Sequence, residues 1–134
     1  MFLGLSSRRK AMGFARVNQI LVDGIVTWQN APDNDNPADF SGHGASFGYS
    51  PEIDPTTNEP KGWKDKATLL AAVGHGKQLI QPEVIGNGMG NQANLIIDLR
   101  TGFPGAGRMP LGGPFIADPQ IQEIVDWINA GCPD

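Results

Sequence analysis

From Arg108 to Pro133 the chain reads RMPLGGPFIADPQIQEIVDWINAGCP, and no other stretch constrains the fold as tightly. Pro119 suits the first position of a helix, where the missing N–H would have had no partner, and Asp118 stands before it as a cap. Ile121, Ile124, Val125 and Ile128 recur at the spacing of one apolar stripe, and Gly131 supplies the stop. A short helix with a single apolar stripe is marginal alone. Its stability must come from other elements that cover the stripe, so the rest of the chain has to furnish a shared core.

Three earlier segments carry a similar pattern. Phe14, Val17, Ile20 and Leu21 mark a first helix over residues 11–23, with Gly24 as its stop. Residues 65–73 (DKATLLAAV) predict a second, ended by Gly74 and Gly76. Residues 91–100 (NQANLIIDLR) predict a third, with Asn91 as N-cap and Leu95, Ile96 and Leu99 facing inward. Residues 30–62 hold Pro32, Pro37, Pro51, Pro55 and Pro60 among many Asn and Asp, without sustained periodicity. They predict a long loop, and one of that length is usually functional or packed under its own side chains. No strand pattern or internal repeat stands out. The expected class is mainly α, about four short helices joined by long Gly/Pro-rich loops.

The 18 glycines and 11 prolines agree with those loops, and 134 residues with 40% hydrophobic content suffice for one domain with a real core. Residues 1–10 read as a flexible N-terminal tail. The net charge of −4, with only Arg8, Arg9 and Lys10 as consecutive basic residues, argues against nucleic acid. Cys132 is the only cysteine, so neither an intramolecular disulfide nor a thiolate zinc site can form. No segment approaches the roughly 20 apolar residues of a membrane span. At the N-terminus, Arg8, Arg9 and Lys10 are not followed by the apolar run of a secretory signal. As given, the chain reads as cytoplasmic; if the given start is not the native one, the periplasm is the alternative.

The Arg108-Met109-Pro110 turn, the helix before it and the helix after it resemble the C-terminal part of bacterial single-haem cytochrome c domains, most strongly over residues 79–133. The resemblance implies that Met109 stands at the position of the axial methionine, and that the last helix crosses the first near Gly13 or Ala15, with Trp127 as the large partner. In that family the first helix leads into a Cys-x-x-Cys-His attachment motif. On the same register Ile25 and Trp28 occupy the two cysteine positions, and Gln29 occupies that of the proximal histidine. Thioethers are impossible without thiols, and an amide is a poor iron ligand beside imidazole. The bulk of Ile25 and Trp28 predicts a haem cleft collapsed onto these side chains, since interiors do not keep large voids cheaply.

Other chemistry has alternatives to weigh. His43 in Ser41-Gly42-His43-Gly44, or His75 in Gly74-His75-Gly76, would pair with Met109 if haem were held without covalent bonds, or if the three bound copper. Each histidine reads equally as a hydrogen-bonded loop residue, and Met109 as a packed loop methionine. The Asp33, Asp35, Asp39 and Asp54 carboxylates do not follow the calcium-loop order. Gly86-Asn87-Gly88-Met89-Gly90 lacks the Lys-Ser/Thr pair of a phosphate loop and reads as a turn. No catalytic constellation emerges.

The sequence therefore reads as a haem-free, non-catalytic binding or subunit module that acts through a protein partner or oligomer. Phe40, His43, Phe47, Tyr49 and Trp63 are the candidate contact residues. No cofactor is expected. Two alternatives stand beside this: non-covalent haem or a metal on Met109 with His43 or His75, and a small molecule in the former haem cleft beside Trp28, Trp63 and Phe47.

Overall fold

The structure is a computed structural model and describes residues 13–31, 45–104 and 107–134. The proposed tail, Phe40 and His43 lie outside the described residues. The helices are α1 (Phe14–Gln29), α2 (Lys66–Ala71), α3 (Asn94–Arg100) and α4 (Asp118–Asn129). Two antiparallel hairpins accompany them: β1 (Ser50–Asp54) with β2 (Glu59–Gly62), and β3 (Val73–Gly74) with β4 (Lys77–Gln78). The described residues thus form an α+β fold, which corrects the mainly α expectation.

Both hairpins lack the alternation by which strands are read. In β1 the only large apolar residue, Ile53, faces solvent, and Pro51 and Pro60 sit on the strands. Turn chemistry makes this hairpin instead: Asp54 accepts the Thr56 N–H on its side chain and the Asn58 N–H on its carbonyl, with Asn58 at φ 60°. In the second hairpin His75 and Gly76 both have positive φ, the backbone of a tight two-residue turn. Gly74 and Gly76, expected to stop α2, belong to that hairpin.

Helix α1 runs through Gly24 to Gln29. A Cβ at Gly24 would stand 2.7 Å from Ile116 Cδ1, so this glycine is a gap that admits a neighbour and not a stop. Asp65, expected as the first residue of α2, is its cap, accepting the Thr68 N–H at 2.8 Å. Helix α3 starts three residues later than Asn91. The cap is supplied from a distance, because Gln81 Oε1 accepts the Asn94 N–H at 2.9 Å while Asn91 receives Arg100. In α4, Ala117 takes the cap position, and the Asp118 carboxylate accepts from Arg100 Nε at 3.1 Å instead.

One core joins these elements. Val17, Ile20 and Leu21 of α1, Leu69 of α2, Ile96 and Leu99 of α3, and Ile121, Ile124, Val125 and Ile128 of α4 are all buried within it. Helices α1 and α4 are in contact, bridged by two bonds of 2.9 Å from Arg16 to the Glu123 carboxylate. Gly13 makes its close approach to the Asp134 carbonyl, and buried Trp127 donates its indole N–H to Pro133 at 2.7 Å. Asn18 fastens the first hairpin to α1, donating to the Lys61 carbonyl and accepting the Trp63 N–H, each at 2.9 Å. Among the described residues no helix is long and apolar enough to cross a membrane.

Candidate functional site

An apolar cavity of about 330 Å³ lies between α1, α3, the second hairpin and the Met109 loop. Leu21, Ile25 and Trp28 recur three and four apart, so one face of α1 forms a wall. Helix α3 presents Leu95, Asp98 and Leu99 by the same periodicity. Met109, Pro110, Leu111 and Ile116 close a further side, with His75 and Gly74 at the hairpin and Phe47 and Trp63 beneath.

Hydrogen bonds hold the Met109 loop across this space. Met109 donates its backbone N–H to the Asp98 carbonyl at 2.8 Å, and Arg108 Nε donates to the Leu99 carbonyl at 2.8 Å. On the opposite side Trp28 Nε1 donates to the Leu111 carbonyl at 2.9 Å. The Arg108 guanidinium also stacks over the Phe115 ring at 4.1 Å. The loop is tied to both α1 and α3.

The collapse expected from Ile25 and Trp28 does not occur. Both side chains are half-buried and form wall, because α1 stays helical past them and the Trp28 indole turns toward Leu111. Gln29 is not among the lining residues, since the next position on a helix points about 100° away. Of the proposed metal or haem ligands, His75 and Met109 reach the cavity. Among the described residues no three His, Cys, Asp or Glu side chains cluster as a metal site.

The remaining contact residues form an aromatic group under the cavity. Phe47 and Tyr49 meet Trp63 edge-on, with ring centroids 5.3 and 5.4 Å away, and Trp63 Nε1 donates to the Phe47 carbonyl at 2.7 Å. Burial pushes the Tyr49 phenol up to about 12. Phe47 and Trp63 line the cavity, whereas Tyr49 packs behind them on the core.

Sequence reasoning missed Asp98. It is 8% exposed, the only buried charged residue among those described. No donor among the described residues reaches its Oδ1. Burial raises its carboxyl above the ordinary aspartate value, while nearby His75 and Lys77 act in the opposite direction. The available signal was its place in NLIIDLR: three residues after Leu95 and next to Leu99, it falls on the inward stripe.

Comparison of the chain with family models, curated proteins and solved structures finds no match. Covalent haem does not fit the site: positions 25 and 28 carry no sulfur, and position 29 carries an amide that lies off the wall. Buried Cys132 is a poor nucleophile, since burial pushes its thiol up. The arrangement of an apolar wall with one carboxyl suits binding.

Proposed function

We propose that this chain is a non-catalytic binding module that holds a compact apolar small molecule in the cavity beside Met109. The observation that carries this reading is that Ile25 and Trp28 border one apolar space with Met109, which is remote from them in sequence. Small-ligand sites are concave, mostly apolar, and supplied with a few polar groups that orient the ligand. A volume of about 330 Å³ lies at the lower end of their usual range of about 300–1,000 Å³. An engineered apolar cavity of about 150 Å³ admits benzene, so roughly two fused rings suit this one.

Trp28 and Trp63 both border the cavity, so intrinsic fluorescence reports its occupancy. Titration with decalin or camphor, compact apolar bodies that do not emit where tryptophan does, is expected to change the emission saturably and to raise the melting temperature. Leu95→Trp, which fills the space from α3, is expected to remove both responses. Unchanged emission and melting temperature up to the solubility limit of both probes refute the proposal.

A second reading has its own support, because His75 and Met109 reach the same cavity. They would be the axial pair for a haem held without covalent bonds. The small volume favours a compact ligand over a tetrapyrrole. Haemin titration separates the two: a Soret band lost in both His75→Ala and Met109→Leu would establish haem binding. Action through a protein partner at residues 30–62 is the third reading, and Phe47→Ala tests it.

A further inference from the structure

We infer that Asp98 is the polar anchor of this cavity and selects ligands that join a compact apolar body to one hydrogen-bond donor. The inference rests on the reading of the cavity as a ligand site. Asp98 stands on α3 between Leu95 and Leu99, so its carboxyl borders the space these apolar side chains enclose. Its main chain is tied to the Met109 loop, because its own carbonyl accepts the Met109 N–H at 2.8 Å.

Buried acceptors in folded proteins nearly always have a donor, and an exception calls for an explanation. Asp98 Oδ1 has none among the described residues. The two indoles on the wall do not supply one. Trp28 donates to the Leu111 carbonyl and Trp63 to the Phe47 carbonyl. His75 and Lys77 favour the ionised carboxyl electrostatically, but neither donates to Oδ1, and the Lys77 ammonium lies 4.9 Å over the Phe103 ring. A ligand carrying an N–H or O–H can supply the missing donor from within the cavity. An isostere without one leaves the carboxylate buried and unmatched, and sites built on such a hydrogen bond discriminate strongly.

Indole and indene have nearly the same shape and differ in the N–H, which makes them the probes of choice. In wild-type protein, indole is expected to bind at least about tenfold more tightly than indene by calorimetry, as suits a hydrogen bond to a charged acceptor. In Asp98→Leu the two affinities are expected to converge, with indene still bound. Bound indole in the wild-type protein is also expected to give a nuclear Overhauser effect between its N–H and the Asp98 β protons. That measurement decides alone if the variant does not fold. Equal affinities in wild type, a gap that survives in Asp98→Leu, or no such effect overturns the anchor while leaving the cavity a ligand site. Binding of neither probe removes the ligand site as well.

Discussion

Met109 donates its backbone N–H to the carbonyl oxygen of Asp98 at 2.8 Å. One residue of α3 thus holds the Met109 loop with its main chain and faces the cavity with its side chain. This bond and that from Trp28 to the Leu111 carbonyl tie the loop to α3 and to α1, two walls of the cavity. Hydrogen bonds to the two sides thereby keep an apolar cleft open against the general tendency of interiors to fill.

Asp98→Asn should stabilise the protein at neutral pH. Burial, the larger effect, raises the folded-state carboxyl above its unfolded value despite His75 and Lys77. The associated stability is fully present below the unfolded value near 4 and is lost as pH rises through the folded one. The stability of the variant relative to wild type should therefore rise from acid pH to pH 7. The measurement is the difference between wild-type and variant melting curves, since Glu123, lowered by its hydrogen bond from Arg16, slopes the other way in both.

Trp28→Phe keeps the ring but deletes the donor to the Leu111 carbonyl. The expected loss is about 1 kcal/mol in urea denaturation, the usual worth of one hydrogen bond. A larger cost would mean the indole is packed more deeply than its half-buried state implies; no cost would mean the loop is not held there.

Gly62 sits at φ 71° where β2 meets α1, and a Cβ would overlap the Val22 and Asn18 side chains. Gly62→Ala should therefore cost at least about 1–3 kcal/mol from the backbone alone. Equilibrium unfolding checks this, with Gly76→Ala as a comparison at similar φ and in open space.

Phe47→Ala and Tyr49→Ala should each lower the melting temperature, since both rings pack on Trp63 and on the core. Full burial of such a ring is worth about 3–5 kcal/mol, and these half-buried rings should cost less, about 1–3 kcal/mol. An unchanged melting temperature with lost binding to a protein partner would favour the interface role expected from the sequence.

The Arg16–Glu123 pair is only partly buried, with side chains 37% and 29% exposed. A double-mutant cycle with Arg16→Met and Glu123→Gln should give a coupling below about 1 kcal/mol that shrinks with added salt. Its presence would place α1 against α4 in solution.

The sequence by itself determined the local elements whose causes lie within a few residues. The stripe of Ile121, Ile124, Val125 and Ile128 marked α4, and residues 65–73 were legible as the place of α2, because periodicity acts over one or two helical turns. Leu95, Ile96 and Leu99 were legible as inward-facing for the same reason. The hairpins were not: their strands expose Ile53, so the alternation that would reveal them is missing.

Only the tertiary structure decided the rest, because each remaining feature depends on a partner distant in sequence. Gly24 is a gap because Ile116 arrives there, and Asn94 begins α3 because Gln81 reaches its N–H. Ile25, Trp28 and Met109 became walls of one cavity because the loop is tethered to α1 and α3 at once. Apolar character drives side chains together but has no direction. Directional bonds between remote residues determine whether the space they enclose is filled or kept open.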